Sequence, residues 1–288
     1  MGYRSGQRRS QLSADPLGGT QERSAQPVVD RDRAARELAW FFALALGATA
    51  LLHGAIALLG FRFSLSVESP ALPLYLLGLA APTAAAVVLS RPVARGRFIR
   101  SVLRPRAAAG VYVCALVAQP CILAVAWVLS HAGSKSAPLR FSISNAFAFL
   151  TLGQLWVVLG EELGWRGFAL PRLEEVVSPR LATLVLALAW GVWHAPMFFV
   201  VGSLQAREPI WLFGLAIFAW SCIHTGLYHH GRPSVVPNLL FHGCANVALN
   251  LVEVPAHSQA ALAAAYALFG LAAWCLLGRT RPVHAAAA

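Results

Sequence analysis

Three short patterns in this chain carry residue types able to do acid-base chemistry inside an apolar environment. The first is Glu161-Glu162 followed by Arg166, at the end of a continuous apolar run. On an α-helix Glu162 and Arg166 stand at i and i+4, the spacing of an ion pair, while Glu161 is turned by about 100° onto a neighbouring face. One carboxylate therefore has a local partner and the other does not. The second pattern is Trp190 and His194, again four residues apart, with Pro196 just beyond to free a backbone carbonyl. The third is His242 and Asn246, an imidazole and a carboxamide on one helical face. A carboxylate, two imidazoles and an amide around one water-holding cavity supply a general base, a proton relay and an oxyanion donor. No G-x-S-x-G is present, and Cys244 lies about 200° around the helix from His242. Water is then the natural nucleophile, and hydrolysis the natural reaction.

These groups must be positioned by membrane helices. Of 288 residues, 58% are hydrophobic and only 12% charged, with a mean hydropathy of +0.61. Soluble domains carry about 25% charged residues, so a single soluble domain is excluded. Apolar stretches recur at about 38–61, 70–90, 107–130, 144–164, 181–202, 209–228, 235–252 and 258–278, each close to the roughly 20 residues that span a bilayer. The expected fold is all-α, a polytopic transmembrane bundle of about eight helices. Residues 1–37 read as a disordered, basic cytoplasmic tail, and 38–280 as the membrane domain, with its motif core at 144–252.

Net charge is +11. Threaded through eight spans, eighteen of the Arg and Lys residues fall on the side of the two termini, while only Arg62, Lys135, Arg140 and Arg207 fall on the other and Arg166 at a span edge. That is a positive-inside asymmetry rather than a nucleic-acid footprint, and it places both termini in the cytoplasm. The five cysteines all lie in apolar stretches without close pairing and read as small membrane residues. Ten of the twelve acidic residues lie in tails or loops, leaving Glu161 and Glu162 at membrane depth, where ionisable groups are functional candidates. Among the nine histidines, His229 and His230 read as solvated, and His53 and His224 as core residues bonded to carbonyls. With Glu161 near the inward end of the fourth span, the cavity is expected to open toward the cytoplasm.

Together the three patterns resemble the CPBP intramembrane proteases, the CAAX-protease and abortive-infection family that includes the CAAX prenyl endopeptidases. The family's E-E-x-x-x-R is matched by Glu161, Glu162 and Arg166. Its aromatic-x-x-x-His is matched by Trp190 and His194, with Trp where Phe is usual, and its His-x-x-x-Asn by His242 and Asn246. The resemblance implies that Glu161 and His194 activate a water, that His242 and Asn246 stabilise the oxyanion, and that Glu162, Arg166 and Trp190 support them. It implies an integral membrane endopeptidase with no cofactor, and the Arg/Ala-rich composition points to a bacterial plasma membrane. The substrate would be a membrane-associated, prenylated or otherwise lipid-tethered protein or peptide. Three alternatives stand beside it. One is a zinc protease using Glu161, His194 and His242 as ligands, although H-E-x-x-H is absent. Another is a non-catalytic bacteriocin-immunity protein. The third is a proton-coupled transporter, which the lack of a duplicated motif disfavours. The pattern is silent on oligomeric state.

Overall fold

The computed structural model describes residues 30–90, 95–96, 98–100, 103–133, 140–141, 153–231 and 234–278. Tail residues 1–29, the first part of the fourth expected span and the C-terminal arginines lie outside them. Nine α-helices occur among the described residues: α1 (Arg31–Leu58), α2 (Ala71–Leu89), α3 (Ala109–Gly133), α4 (Gly153–Gly164), α5 (Leu170–Val176), α6 (Pro179–His194), α7 (Ile210–His230), α8 (Val236–Leu251) and α9 (Gln259–Leu277). The chain is a polytopic helical bundle. Six helical stretches are long and apolar enough to cross a membrane: 31–58, 71–89, 109–132, 179–199, 210–230 and 256–277. The other two expected spans contain α4 and α8, which carry polar motif residues.

Two boundaries differ from the sequence reading. Helix α1 begins at Arg31, inside the segment read as tail, because the Asp30 side chain accepts from Arg33 N at 2.9 Å and caps the helix. The fourth span does not stop near Gly164. It passes through a π-helical turn, Trp165–Ala169, directly into α5 and ends at Val176. Wide π turns of this kind are often found at functional sites.

Side-chain and backbone ties define the two ends of the bundle. At the end where α1 starts and α9 finishes, Arg172 donates to Glu37 at 2.6 Å. There, too, Arg180 donates to the Trp274 carbonyl at 3.2 Å and Ser234 to the Arg104 carbonyl at 2.6 Å. His229 donates to Glu174 at this end, with both side chains buried. The histidine is thus a buried hydrogen-bond partner of a carboxylate rather than a solvated residue, because α5 brings Glu174 against the last turn of α7. At the opposite end Phe63 N donates to the Val201 carbonyl, and Arg140–Phe141 forms a two-residue antiparallel bridge with Val252–Glu253.

Helix α4 fits between its neighbours because it is narrow where it matters. A Cβ on Gly160 would stand 2.8 Å from the Leu79 carbonyl oxygen of α2, and one on Gly164 would stand 2.5 Å from the Pro82 carbonyl carbon. Small residues four apart let membrane helices approach closely. Thr83 Oγ1 donates to the Leu159 carbonyl at 2.6 Å and Trp156 Nε1 to the Leu76 carbonyl at 2.9 Å, fixing the register of α2 against α4. Phe41 of α1 packs against Trp165 and Phe168 across the π turn. Large apolar side chains such as Leu58, Leu188 and Leu271 remain outward on the bundle, as lipid contact requires.

Candidate active site

The sites of the three motifs come together between α4, α6 and α8. Glu161, Trp190, His194, His242 and Asn246 all line one cavity of about 140 Å³. Glu162 and Arg166 stand behind it, both fully buried, with Arg166 Nη1 at 2.9 Å from Glu162 Oε1. The i, i+4 pair expected from sequence is therefore present.

Trp190 organises the cluster. Its indole Nε1–H donates to Glu161 Oε2 at 2.7 Å, leaving Oε1 to take a proton. The Arg166 guanidinium lies over its ring at 4.4 Å from the centroid, a cation-π contact. Its carbonyl oxygen lies 2.8 Å from His194 Nδ1. A carbonyl can only accept, so Nδ1 carries the proton, and Nε2 of the neutral ring is an acceptor. His194 is thereby set up to receive a hydrogen bond from a water in the cavity. The ring also sits edge-on to Trp193, whose Nε1–H donates to Thr49 of α1 at 2.7 Å.

His242 is oriented from behind. Its Nδ1 lies 2.8 Å from Glu162 Oε1, the same oxygen that Arg166 holds. A carboxylate bonded to one ring nitrogen fixes which way the other points, here leaving Nε2 for the cavity side. Asn246, one turn further along α8, donates from Nδ2 to Gln154 of α4 at 3.3 Å, and its backbone carbonyl accepts from Asn250 Nδ2 at 2.8 Å.

Residues 143–248 match the family model of the Rce1-like type II CAAX prenyl endopeptidases. The matched stretch takes in all three motifs. The chain is also 30% identical over 145 residues to CAAX prenyl protease 2 of Methanococcus maripaludis, a match covering 46% of this chain and 52% of that protein. The chain spans about half the length of this curated relative.

His224 belongs to the buried polar cluster behind the cavity, and the sequence reading missed it. It is not bonded to a carbonyl like His53, whose Nε2 meets the Tyr75 carbonyl oxygen at 3.1 Å. Instead His224 Nδ1 donates to Asn238 Oδ1 at 2.8 Å and lies 3.5 Å from Glu162 Oε2. The available signal was on α8: Asn238, His242, Asn246 and Asn250 recur every four residues, a polar stripe on an otherwise apolar helix. His224 faces that stripe from α7.

This arrangement also changes the ligand set open to a metal. Among the described residues, the side chains whose ligand atoms lie within 4.8 Å of one another are Glu162, His224 and His242, not Glu161, His194 and His242. They fit a catalytic divalent cation poorly. Glu162 Oε1 already receives Arg166 and His242, and a guanidinium 2.9 Å from the ligand oxygen opposes a second positive charge. Glu162 and His224 also do not line the cavity.

The cavity reaches toward the end of the bundle opposite Arg31 and Leu277, whereas the sequence reading placed it on the side of the termini. Its outer wall is made by Leu204, Gln205 and Glu208 of the α6–α7 loop and by Asn250 and Leu262.

Proposed function

We propose that the chain is an intramembrane endopeptidase that hydrolyses a peptide bond of a membrane-associated protein or peptide with an activated water. The observation that carries this reading is the convergence of Glu161, His194, His242 and Asn246, from three helices, on one cavity. The match of residues 143–248 to a prenyl endopeptidase family supports it, as does the similarity to the prenyl protease of Methanococcus maripaludis. Both termini are assigned to the cytoplasm of a bacterial plasma membrane, from the arginine asymmetry.

In this mechanism Glu161 Oε1 takes a proton from water while His194 Nε2 accepts the water's other hydrogen and holds it in line with the scissile carbonyl. As the tetrahedral intermediate forms, His242 Nε2–H and the Asn246 carboxamide donate to its oxyanion, with His242 in the imidazolium form, in which both ring nitrogens donate. The proton on Glu161 then passes to the leaving amine. Glu162 and Arg166 hold His242 and Trp190 in place without touching substrate.

The assay that tests it follows cleavage of membrane-embedded peptides by purified protein in liposomes. Asn246→Ala removes one of two oxyanion donors, so its cleavage rate is expected to fall by about 10²–10³ without vanishing. A rate equal to wild type removes Asn246 from the mechanism.

The reading is also metal-free. Purified protein is expected to contain substoichiometric zinc by elemental analysis and to keep its activity through prolonged chelation. One zinc per chain, with activity lost on chelation and restored by zinc alone, returns the site to the metalloprotease reading.

A further inference from the structure

Two carboxylates line the cavity on different elements: Glu161 of α4, already assigned to the water, and Glu208 at the end of the α6–α7 loop. The loop that carries Glu208 is well fixed. Ser203 Oγ donates to the Met197 carbonyl at 2.7 Å and accepts from Ala206 N at 3.0 Å, and Glu208 N donates to the Gln205 carbonyl at 3.3 Å. Gly202, at a φ of +94°, turns the chain where a Cβ would stand 2.7 Å from the Phe63 carbonyl oxygen.

The Glu208 carboxylate has no counter-charge. Among the described residues it enters no ion pair or side-chain hydrogen bond, and no Lys or Arg lines the cavity. It does not cap α7 either, since Leu212 N and Phe213 N both donate to the Pro209 carbonyl. Glu208 is exposed, yet the wall around it removes enough water to push its carboxyl above the ordinary carboxylate range, with no cation to draw it back. A carboxylate held in this way is destabilised until a cation joins it. The surrounding wall suits an organic cation. Asn250 donates its Nδ2 to the Asn246 carbonyl, which leaves its own Oδ1, like that of Gln205, free to accept from an ammonium or guanidinium. Tyr266 of α9 lies close enough to feel the Glu208 charge and, with Phe213, supplies aromatic surface on which a cation is attracted. Leu212 and Leu262 give apolar surface for the stem of a long basic side chain.

We propose that Glu208 forms a cation subsite of the cavity, and that the peptide bound there carries a lysine or arginine side chain close to the bond that is cut. The proposal rests on the hydrolase reading for the cut, but not for the binding. An apolar segment with one basic residue in it is then bound in preference to a wholly neutral one.

Binding is tested with the full chain carrying Glu161→Gln, immobilised in a non-ionic detergent that brings no cationic headgroup. A pool of single-span peptides with a randomised flanking segment is passed over it, and the bound members are read by mass spectrometry. Enrichment of Lys and Arg by about tenfold at one position is expected. Adding Glu208→Gln should abolish that enrichment, and Glu208→Lys should turn it into enrichment of Asp and Glu at the same position, with thermal unfolding of both near that of the parent. No basic enrichment on the parent, or an enrichment that survives Glu208→Gln, overturns the subsite. The same pool is then given to the unsubstituted chain. Cut members that carry the basic residue near the new terminus support the proposal, and cut members without one overturn its placement beside the bond. If nothing is cut, the hydrolase reading fails while the binding still decides the subsite.

Discussion

Replacing Glu161 by Gln is expected to leave a correctly folded protein that has lost nearly all peptide cleavage. The substitution is close to isosteric. A glutamine carbonyl oxygen can still accept the Trp190 indole N–H that now bonds Oε2. The buried ion pair is untouched, because Arg166 and His242 are held by Glu162. What is removed is the carboxylate assigned to take a proton from water and return it to the leaving amine. The expected loss is about 10⁴ in rate, the upper end of what a positioned general base contributes. Thermal unfolding in detergent should stay near that of the wild type, since no buried charge is left unpartnered. Undiminished cleavage by Glu161→Gln would remove this carboxylate from the chemistry, and an unfolded variant would show that its role is structural.

Arg166→Ala is expected to do the opposite, damaging the fold before the chemistry. Arg166 is 1% exposed and Glu162 fully buried. Removing the guanidinium leaves a carboxylate in a protein interior that is itself inside a membrane, with His242 and His224 as its remaining partners. The cation-π contact over Trp190 goes as well. Breaking a buried pair by deleting one member costs about 3–5 kcal/mol, a large fraction of the stability of an ordinary domain. Folded yield should drop sharply, and thermal unfolding of whatever folds should move down by many degrees. A double replacement, Glu162→Gln with Arg166→Met, removes both charges and is expected to recover yield but not activity, because His242 loses the carboxylate that orients it. Normal yield and stability for Arg166→Ala alone would show that the pair contributes little.

The fold class was legible from composition and span length alone, because a chain this apolar has no way to satisfy its backbone in lipid except as helices or a closed barrel. The polar cluster around the cavity was legible for a different reason. Polar groups at membrane depth are costly, so Glu161, Glu162, His194 and His242 stood out against apolar neighbours, and the four-residue spacings of Trp190–His194 and His242–Asn246 placed each pair on one face. His224 escaped because its partners, Glu162 and Asn238, come from other helices and leave no periodic trace around it. Trp190 was legible as an aromatic neighbour of His194. Its larger role, holding Glu161, Arg166 and His194 at once, depends on helix packing. The end of the fourth span was misjudged for a local reason: nothing in Gly164-Trp165-Arg166-Gly167 announces that the helix widens into a π turn and runs on, so the span appeared to end near the glutamates. The pairing of His229 with Glu174 follows from the same continuation, since α5 carries that carboxylate.

Glu161 and His194 are assigned to one water, and that is the claim on which the account depends. A double-mutant cycle tests it most directly, using single-turnover cleavage of one membrane peptide by wild type, Glu161→Gln, His194→Ala and the double variant, each shown to be folded by its thermal unfolding. Groups that act as a unit on one reacting atom lose their contributions together rather than multiplicatively. The double variant is therefore predicted to cleave about as slowly as Glu161→Gln alone. Losses that multiply in the double variant would show two independent contributions and contradict a shared water.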